Sequence, residues 1–162
     1  MMYEHFKADV ERHKIPGHGV VRFMKQLSVP GCRFMIYWRL AKKYGGIFKL
    51  CVRRCSIKFG YQIPVAANIG EGFYIGHHGP IVINASSVIG KNCNIAQNVT
   101  IGMENRGKRK GCPTIGDKVW IGAGAVVVGK ITIGDDVLIA ARTRVSAYNK
   151  IEIGDGSRIA HE

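Results

Sequence analysis

Acidic residues are scarce in this chain: 11 Asp and Glu stand against 24 Lys and Arg in 162 residues, a formal net charge of +13. The shortage is uneven. Residues 1–60 hold 13 basic side chains and only three acids, Glu4, Asp9 and Glu11, a balance of +10, and the remainder carries only +3. Such a basic segment favours an anionic partner: nucleic acid, a membrane surface or a phosphorylated cofactor. Proline is also sparse, at five, and the 21 glycines follow no period of three, which excludes a collagen-like or low-complexity chain. No apolar run approaches the roughly 18 residues of a membrane span. Five cysteines, an odd number with no secretory leader ahead of them, fit reduced thiols in a cytoplasm better than a disulfide framework.

What the chain has in quantity is a repeat of six. Ile63, Ile69, Ile75 and Ile81 are in phase; after a slip of two come Ile83, Ile89, Ile95 and Ile101. Beyond an excursion, Ile115, Ile121, Val127, Ile133, Ile139, Val145 and Ile151 resume, and a last slip leads to Ile153 and Ile159. Gly or Ala often follows, as at Gly70, Gly90, Ala96, Gly116, Gly122, Ala140, Gly154 and Ala160. Four residues after the aliphatic the side chain is small or β-branched, as at Ala67, Cys93, Val99, Val119, Ala125, Val137 and Thr143. A period of six cannot be the 3.6-residue stripe of an α-helix. It predicts short strands joined by tight corners, three to a coil of about 18 residues, the coils stacking at about 4.8 Å. Residues 63–162 would form about five such coils. Residues 103–113, MENRGKRKGCP, interrupt the repeat with a basic, glycine-containing segment, which reads either as a solvated surface loop or as an arm that covers a site, since irregular segments on rigid scaffolds often carry function.

Two regions are therefore expected: a helical, basic segment over 1–60 and a repeat domain over 61–162 with the loop 103–113. In the first, residues 3–14 and roughly 32–59 read as helices, broken near Pro16-Gly17, Pro30-Gly31 and Gly45-Gly46. In 32–59 an apolar side that includes Phe34, Trp38, Phe48 and Val52 is accompanied by Arg33, Lys42, Lys43, Lys49, Arg53, Arg54 and Lys58. Two readings stand: helices that pack on the end of the coil and expose their charges, or a basic amphipathic surface at an anionic membrane. Cys51 and Cys55 lie one helical turn apart but lack two further ligands for zinc.

The motifs Ile-Gly-Ala-Gly-Ala at 121–125 and Asn98-Val99-Thr100-Ile101-Gly102, with His77 ahead of Ile81-Val82-Ile83, carry a resemblance to the hexapeptide-repeat acyltransferases. Over residues 57–147 the chain is most similar to their serine acetyltransferase branch, which includes relatives found in surface-polysaccharide biosynthesis. The resemblance implies a left-handed parallel β-helix, a homotrimer with active sites between subunits, and acetyl-CoA as donor. It makes His77 the catalytic base, a role for which neutral imidazole suits pH 7. His78 becomes a groove-lining or acceptor-contacting side chain. It assigns Gly102, Ala123 and Ala141 to the pantetheine arm of the cofactor. A backbone N–H near Gly102 would meet the thioester oxyanion, and Arg142, Arg144 or the basic loop would meet the phosphates of CoA.

The sequence also departs from that branch. Gln62 stands where the family has an aspartate that orients the histidine, and Gly76 replaces a second aspartate. Gly111-Cys112 replaces an Arg-His pair that holds the carboxylate of serine, and the family's long helical amino-terminal domain is absent. No proline follows Pro113, so the family's turn near the adenine is missing. The donor half is kept and much of the amino-acid half is lost. The expectation is an O-acetyltransferase acting by direct transfer on a sugar hydroxyl of a surface-polysaccharide precursor, cytoplasmic or peripheral at the inner membrane face. Serine O-acetylation is the alternative. A zinc hydratase on the same scaffold would need three histidines where the repeat offers His77, His78 and His161; no metal is expected. Cys112 as an acyl-accepting nucleophile lacks a base. Nucleic-acid binding would rest on charge alone, with no recognised motif, and is not expected.

Overall fold

The computed structural model of the chain describes residues 2–146, 152–153 and 156–159. From Tyr61 onward they form a parallel β-helix of three five-stranded sheets. The first sheet stacks Tyr61–Gln62, Ile81–Ile83, Thr100–Gly102, Val126–Val128 and Arg144–Ser146. The second stacks Asn68–Ile69, Val88–Ile89, Thr114–Ile115, Thr132–Ile133 and Glu152–Ile153. The third stacks Tyr74–Ile75, Asn94–Ile95, Trp120–Ile121, Leu138–Ile139 and Arg158–Ile159.

The register explains the period of six. Ile75, Ile95, Ile121, Ile139 and Ile159 lie over one another on the third sheet, and Ile69, Ile89, Ile115, Ile133 and Ile153 on the second. From Ile63 to Val145 every in-phase aliphatic is at most 5% exposed. The small or β-branched side chains four places on, from Ala67 to Thr143, are buried beside them. Each coil buries three aliphatics and pairs its backbone with the next, so strands of two or three residues suffice. Ile151, Gly154, Ala160 and His161 lie outside the described residues.

The phase slip and the excursion are both corners of altered length. Between third and first sheet, six residues separate Ile95 from Ile101, Ile121 from Val127 and Ile139 from Val145, but eight separate Ile75 from Ile83. The two extra residues fall in the corner that carries His77 and His78. The arm 103–113 lengthens the corner from first to second sheet, where Ile101 and Ile115 are fourteen apart. It is folded: Glu104 and Gly111 exchange backbone hydrogen bonds of 3.0 Å, and Lys130 N–H donates to the Arg109 carbonyl at 3.1 Å.

Four helices precede the coil: α1 (Met2–Glu11), α2 (Gly19–Ser28), α3 (Pro30–Tyr44) and α4 (Ile47–Phe59). The sequence predicts a first helix to residue 14 and none over 19–28. The first helix ends sooner, with Lys14 at φ 46, and α2 is a further helix. The break expected near Pro30-Gly31 falls at Val29, between α2 and α3, and Pro30 opens α3 because the first helical turn needs no N–H there.

These helices close the open end of the coil. A first coil has no neighbour below, so its backbone groups would be left unpaired. Helix α3 supplies donors: Trp38 Nε1 to the Pro64 carbonyl at 3.2 Å, Lys42 Nζ to Ala67 at 2.5 Å, and Arg39 to Ile69 at 2.8 Å and Gly70 at 2.5 Å. Arg39 also holds Asp9 of α1 through Nε at 2.7 Å, and Asp9 accepts the Phe73 N–H at 2.9 Å. Both members of the pair are buried, at 5% and 2% exposure. Arg12 reaches past it to the Asn92 carbonyl and the Asn94 side chain. Phe34, Met35, Trp38 and Ala41 of α3 and Val52, Cys55 and Phe59 of α4 join the Ile/Val ladders in one continuous apolar core. Gly31 is needed for this approach: a Cβ there would lie 2.2 Å from the Ile75 carbonyl oxygen.

Candidate active site

The lengthened corner projects both histidines outward, and each is exposed. Its base is held from below. Gly79 N–H donates to the Phe59 carbonyl and Ile81 N–H to Gly60, both at 3.1 Å. The fully buried Tyr61 donates its hydroxyl to the His77 carbonyl at 3.3 Å, and burial pushes the Tyr61 phenol up to about 12, so it stays a donor. Tyr61 is a site-supporting residue that sequence reasoning missed; its only signal was an aromatic one place before Gln62. Gly79, at φ +143, sits so close to the next corner that a Cβ would approach that of Gln97 at 3.0 Å.

Above His77, the same edge of the molecule is built by the corners at 96–98, 122–124 and 140–142. The register that stacks Ile75, Ile95, Ile121 and Ile139 brings Gln97, Ala123 and Ala141 into one column over the histidine. Ala123 and Ala141 are one coil apart, about 4.8 Å. Their amide N–H groups have no acceptor among the described residues, whereas their neighbours Gly122, Gly124, Ala140 and Arg142 all donate within the coil. Small side chains with free amides leave room and donors for an extended polar chain of the pantetheine kind. His77, Ala123 and Ala141 are thus brought together.

Gly102 is not brought to them. It ends the third strand of the first sheet, on the edge leading to the second sheet, opposite the histidine edge. There it lines a cleft of about 680 Å³ between α4 and the outer side of the first sheet. Gln62 lies in the same cleft, exposed, and makes no hydrogen bond to His77. Asn84 Oδ1 at the rim accepts the Cys112 thiol at 3.4 Å and the Ser86 N–H at 2.9 Å. No histidine is among the residues lining the cleft. Arg144, on the first sheet, and Arg142, at the corner beside Ala141, are exposed, as are Arg106, Lys108 and Lys110 on the arm.

Among the described residues no three His, Cys, Asp or Glu side chains are grouped to hold a metal ion. Burial pushes the thiols of Cys32 and Cys93 up to about 12 and about 11, and that of Cys55 upward as well, so they are packing groups rather than nucleophiles.

A parallel β-helix with an exposed histidine on a lengthened corner, below a column of free amides, defines a repeat-built group-transfer scaffold. Residues 112–147 match the family model described as bacterial transferase hexapeptide (six repeats). The chain is 35% identical over 124 residues to a serine acetyltransferase of Helicobacter pylori, covering 74% of this chain and 72% of that one. It is 39% identical over 105 residues to the putative colanic acid biosynthesis acetyltransferase WcaB of Escherichia coli, 62% of this chain and 64% of that one. The crystal structure of Entamoeba histolytica serine acetyltransferase isoform 3 in complex with cysteine superposes with a TM-score of 0.73 at 29% identity, over 98% of this chain and 57% of that one. The chain therefore spans about three-fifths of the length of that solved relative. It belongs to the hexapeptide-repeat acetyltransferases, in the branch that joins serine acetyltransferases to their polysaccharide-biosynthesis relatives. Acetyltransferases of this family use acetyl-CoA as co-substrate. No helix among the described residues is long and apolar enough to cross a membrane.

Proposed function

We propose that the chain is an acetyl-CoA-dependent O-acetyltransferase whose acceptor is a sugar hydroxyl of a surface-polysaccharide precursor. The observation that carries the reading is the donor edge: an exposed His77 beneath the free amides of Ala123 and Ala141. His77 takes the proton of the acceptor hydroxyl as that oxygen bonds to the acetyl carbonyl carbon. The C–S bond then breaks, and the proton passes to the departing CoA sulfur. General-base help of this kind is worth roughly 10²–10⁴-fold. Gly102, on the opposite edge, could serve a donor lying at His77 only if it came from a second copy, which supports a homotrimer with sites between subunits. Arg142, Arg144 and the basic arm are the candidate partners for the CoA phosphates, and His78 and Gln62 the candidate acceptor contacts.

The absence of a carboxylate at 62 and 76 and of an Arg-His pair at 111–112 supports a sugar over serine. Acetyl transfer assayed against L-serine and a panel of sugars tests this: poor turnover of serine is expected, and a serine kcat/KM of about 10⁴ M⁻¹s⁻¹ or more overturns the sugar reading.

We further propose that residues 1–60 act as a distinct region that rests on the anionic inner face of the membrane. Val20, Val21, Phe23 and Met24 on α2 and Ile47, Leu50 and Ile57 on α4 are exposed among Lys43, Arg54 and Lys58. Each cation near such a surface contributes about 1 kcal/mol. Sedimentation with acidic and neutral liposomes is expected to show a salt-sensitive preference for acidic lipid, lowered by Arg54→Gln/Lys58→Gln; equal binding to both overturns it.

A further inference from the structure

The cleft between α4 and the first sheet is furnished with one kind of chemistry. Besides Tyr61, whose hydroxyl is committed to the His77 carbonyl, five polar residues line it: Lys49, Arg53 and Ser56 from α4, Gln62 from the first strand and Asn84 just after the second. Lys49 and Arg53 are one helical turn apart, exposed, and without a carboxylate partner among the described residues. The Ser56 hydroxyl, the Gln62 carboxamide and the Asn84 amide NH₂ make no hydrogen bond within them. No Asp or Glu lines the cleft. Its floor is apolar, with Val65 and Val82 contributing.

A wall of this composition selects against an amino acid. An α-ammonium needs a carboxylate or a set of acceptors, and two cations would repel it. It selects for a ligand rich in oxygen acceptors and negative charge, with an apolar face against the valines. A sugar carrying a phosphate or diphosphate ester has all three: hydroxyls for the amides and Ser56, C–H faces for the floor, and phosphate oxygens for a lysine and an arginine through charge-assisted bonds. The donor column runs from His77 through Ala123 to Ala141, away from the helical cap, whereas the cleft opens beside the cap. Apart from its Gly102 rim, the cleft therefore lies clear of its own copy's donor column and is open to an acceptor whose hydroxyl meets His77 of a neighbouring copy.

We infer that this cleft binds the phosphate-bearing end of a glycosyl phosphate acceptor, with Lys49 and Arg53 as the phosphate-holding pair. The inference rests on the O-acetyltransferase reading above and adds the acceptor's charge. Nucleotide-linked and lipid-linked sugars share the same phosphate chemistry.

Titration calorimetry on the full chain tests it, with D-glucose, D-galactose, their 1-phosphates, their uridine diphosphate esters, short-chain polyprenyl diphosphate glucose, and inorganic pyrophosphate. Phosphorylated ligands are expected to bind at least tenfold more tightly than the free sugars, and pyrophosphate to compete with them. Lys49→Gln/Arg53→Gln, both exposed and so harmless to folding, is expected to remove that tenfold preference and leave acetyl-CoA affinity within twofold. Arg53→Glu is expected to abolish it. A tighter uridine ester identifies a nucleotide-linked acceptor, and a tighter polyprenyl ester a lipid-linked one. Equal binding of free and phosphorylated sugars, or an equal loss of acetyl-CoA affinity in the variants, overturns the inference. Transfer to free and phosphorylated sugars at the same kcat/KM overturns the inference and leaves the sugar reading standing, whereas transfer to serine alone overturns the sugar reading itself.

Discussion

The helical cap and the β-helix bury apolar side chains by opposite means. In the coil, each aliphatic from Ile81 to Val145 is enclosed by its own repeat and its stacked neighbours, and the backbone satisfies itself coil to coil. The cap has no repeat. It is held by individual long-range contacts: the Asp9–Arg39 pair, the Trp38 and Lys42 bonds to first-coil carbonyls, and the close approach at Gly31. Loss of one aliphatic from the coil leaves the pattern standing, whereas the cap depends on a few side chains that each do several things. Arg39 is the clearest case, since one guanidinium neutralises a buried carboxylate and caps two strand-edge carbonyls.

The sharpest way to break this contrast is Arg39→Ala. It strands the Asp9 carboxylate in the interior and frees the Ile69 and Gly70 carbonyls, so a loss of about 3–5 kcal/mol is expected, measured by urea denaturation. A cost below about 1 kcal/mol, within the range of an ordinary exposed pair, would mean the cap does not depend on it.

His77→Ala probes the coil in the opposite sense. It is expected to lower kcat at least a hundredfold, about 2.7 kcal/mol in the barrier, with the melting temperature unchanged, because the ring is exposed and the corner is held by backbone. His78→Ala is expected to cost far less. Equal losses from the two would remove His77 as the base.

Gly31→Ala puts a methyl against the Ile75 carbonyl and should cost about 1–3 kcal/mol through displacement of α3. The same substitution at Gly107, which has open space around it but φ +69, is expected to cost less. If Gly107→Ala is the worse of the two, the cap is not closely seated.

The smallest effect separates the regions by pH. His13, just after α1, stacks on Tyr74 with ring centroids 4.6 Å apart. Burial, aided by the Arg12 charge, lowers its pKa from 6.5 to about 4. The depressed value means the folded state resists the proton that the unfolded chain accepts. This stabilisation is full above pH 6.5 and is lost as pH falls toward 4. Thermal melts over that range should show the midpoint falling on acidification, and falling less in His13→Phe; an unchanged slope would rule His13 out as the source.

How legible each region was in the sequence follows from the same contrast. Ile63, Ile69 and Ile75 announce the coil because one environment recurs every six residues, and His77 stood out because it sat on a slip in that rhythm. Nothing local in Asp9 or Arg39 signals a partner 30 residues away. Helix α2 is not legible because Gly19 and the valines at 20 and 21 are weak helix formers, and Val20, Val21, Phe23 and Met24 face outward while only Leu27 packs inward. The stacking of Ala123 and Ala141 over His77 follows from their common spacing after Ile75, Ile121 and Ile139, but the cleft could not be read in that way: it joins α4 to three strands of the first sheet, a meeting that only the packed cap creates.

The two-residue lengthening at the histidine corner has an engineering consequence. The coil regains register at Ile83 over Ile101, as though nothing had been inserted. Corner length is thus decoupled from the core, and a corner can be extended, shortened or exchanged as a cassette without repacking a single aliphatic. The arm at 103–113 is the same device on the opposite edge at larger scale. The coil is thus a frame whose hems can be recut one at a time, and exchanging corners between members of the family would leave the stacked interior intact.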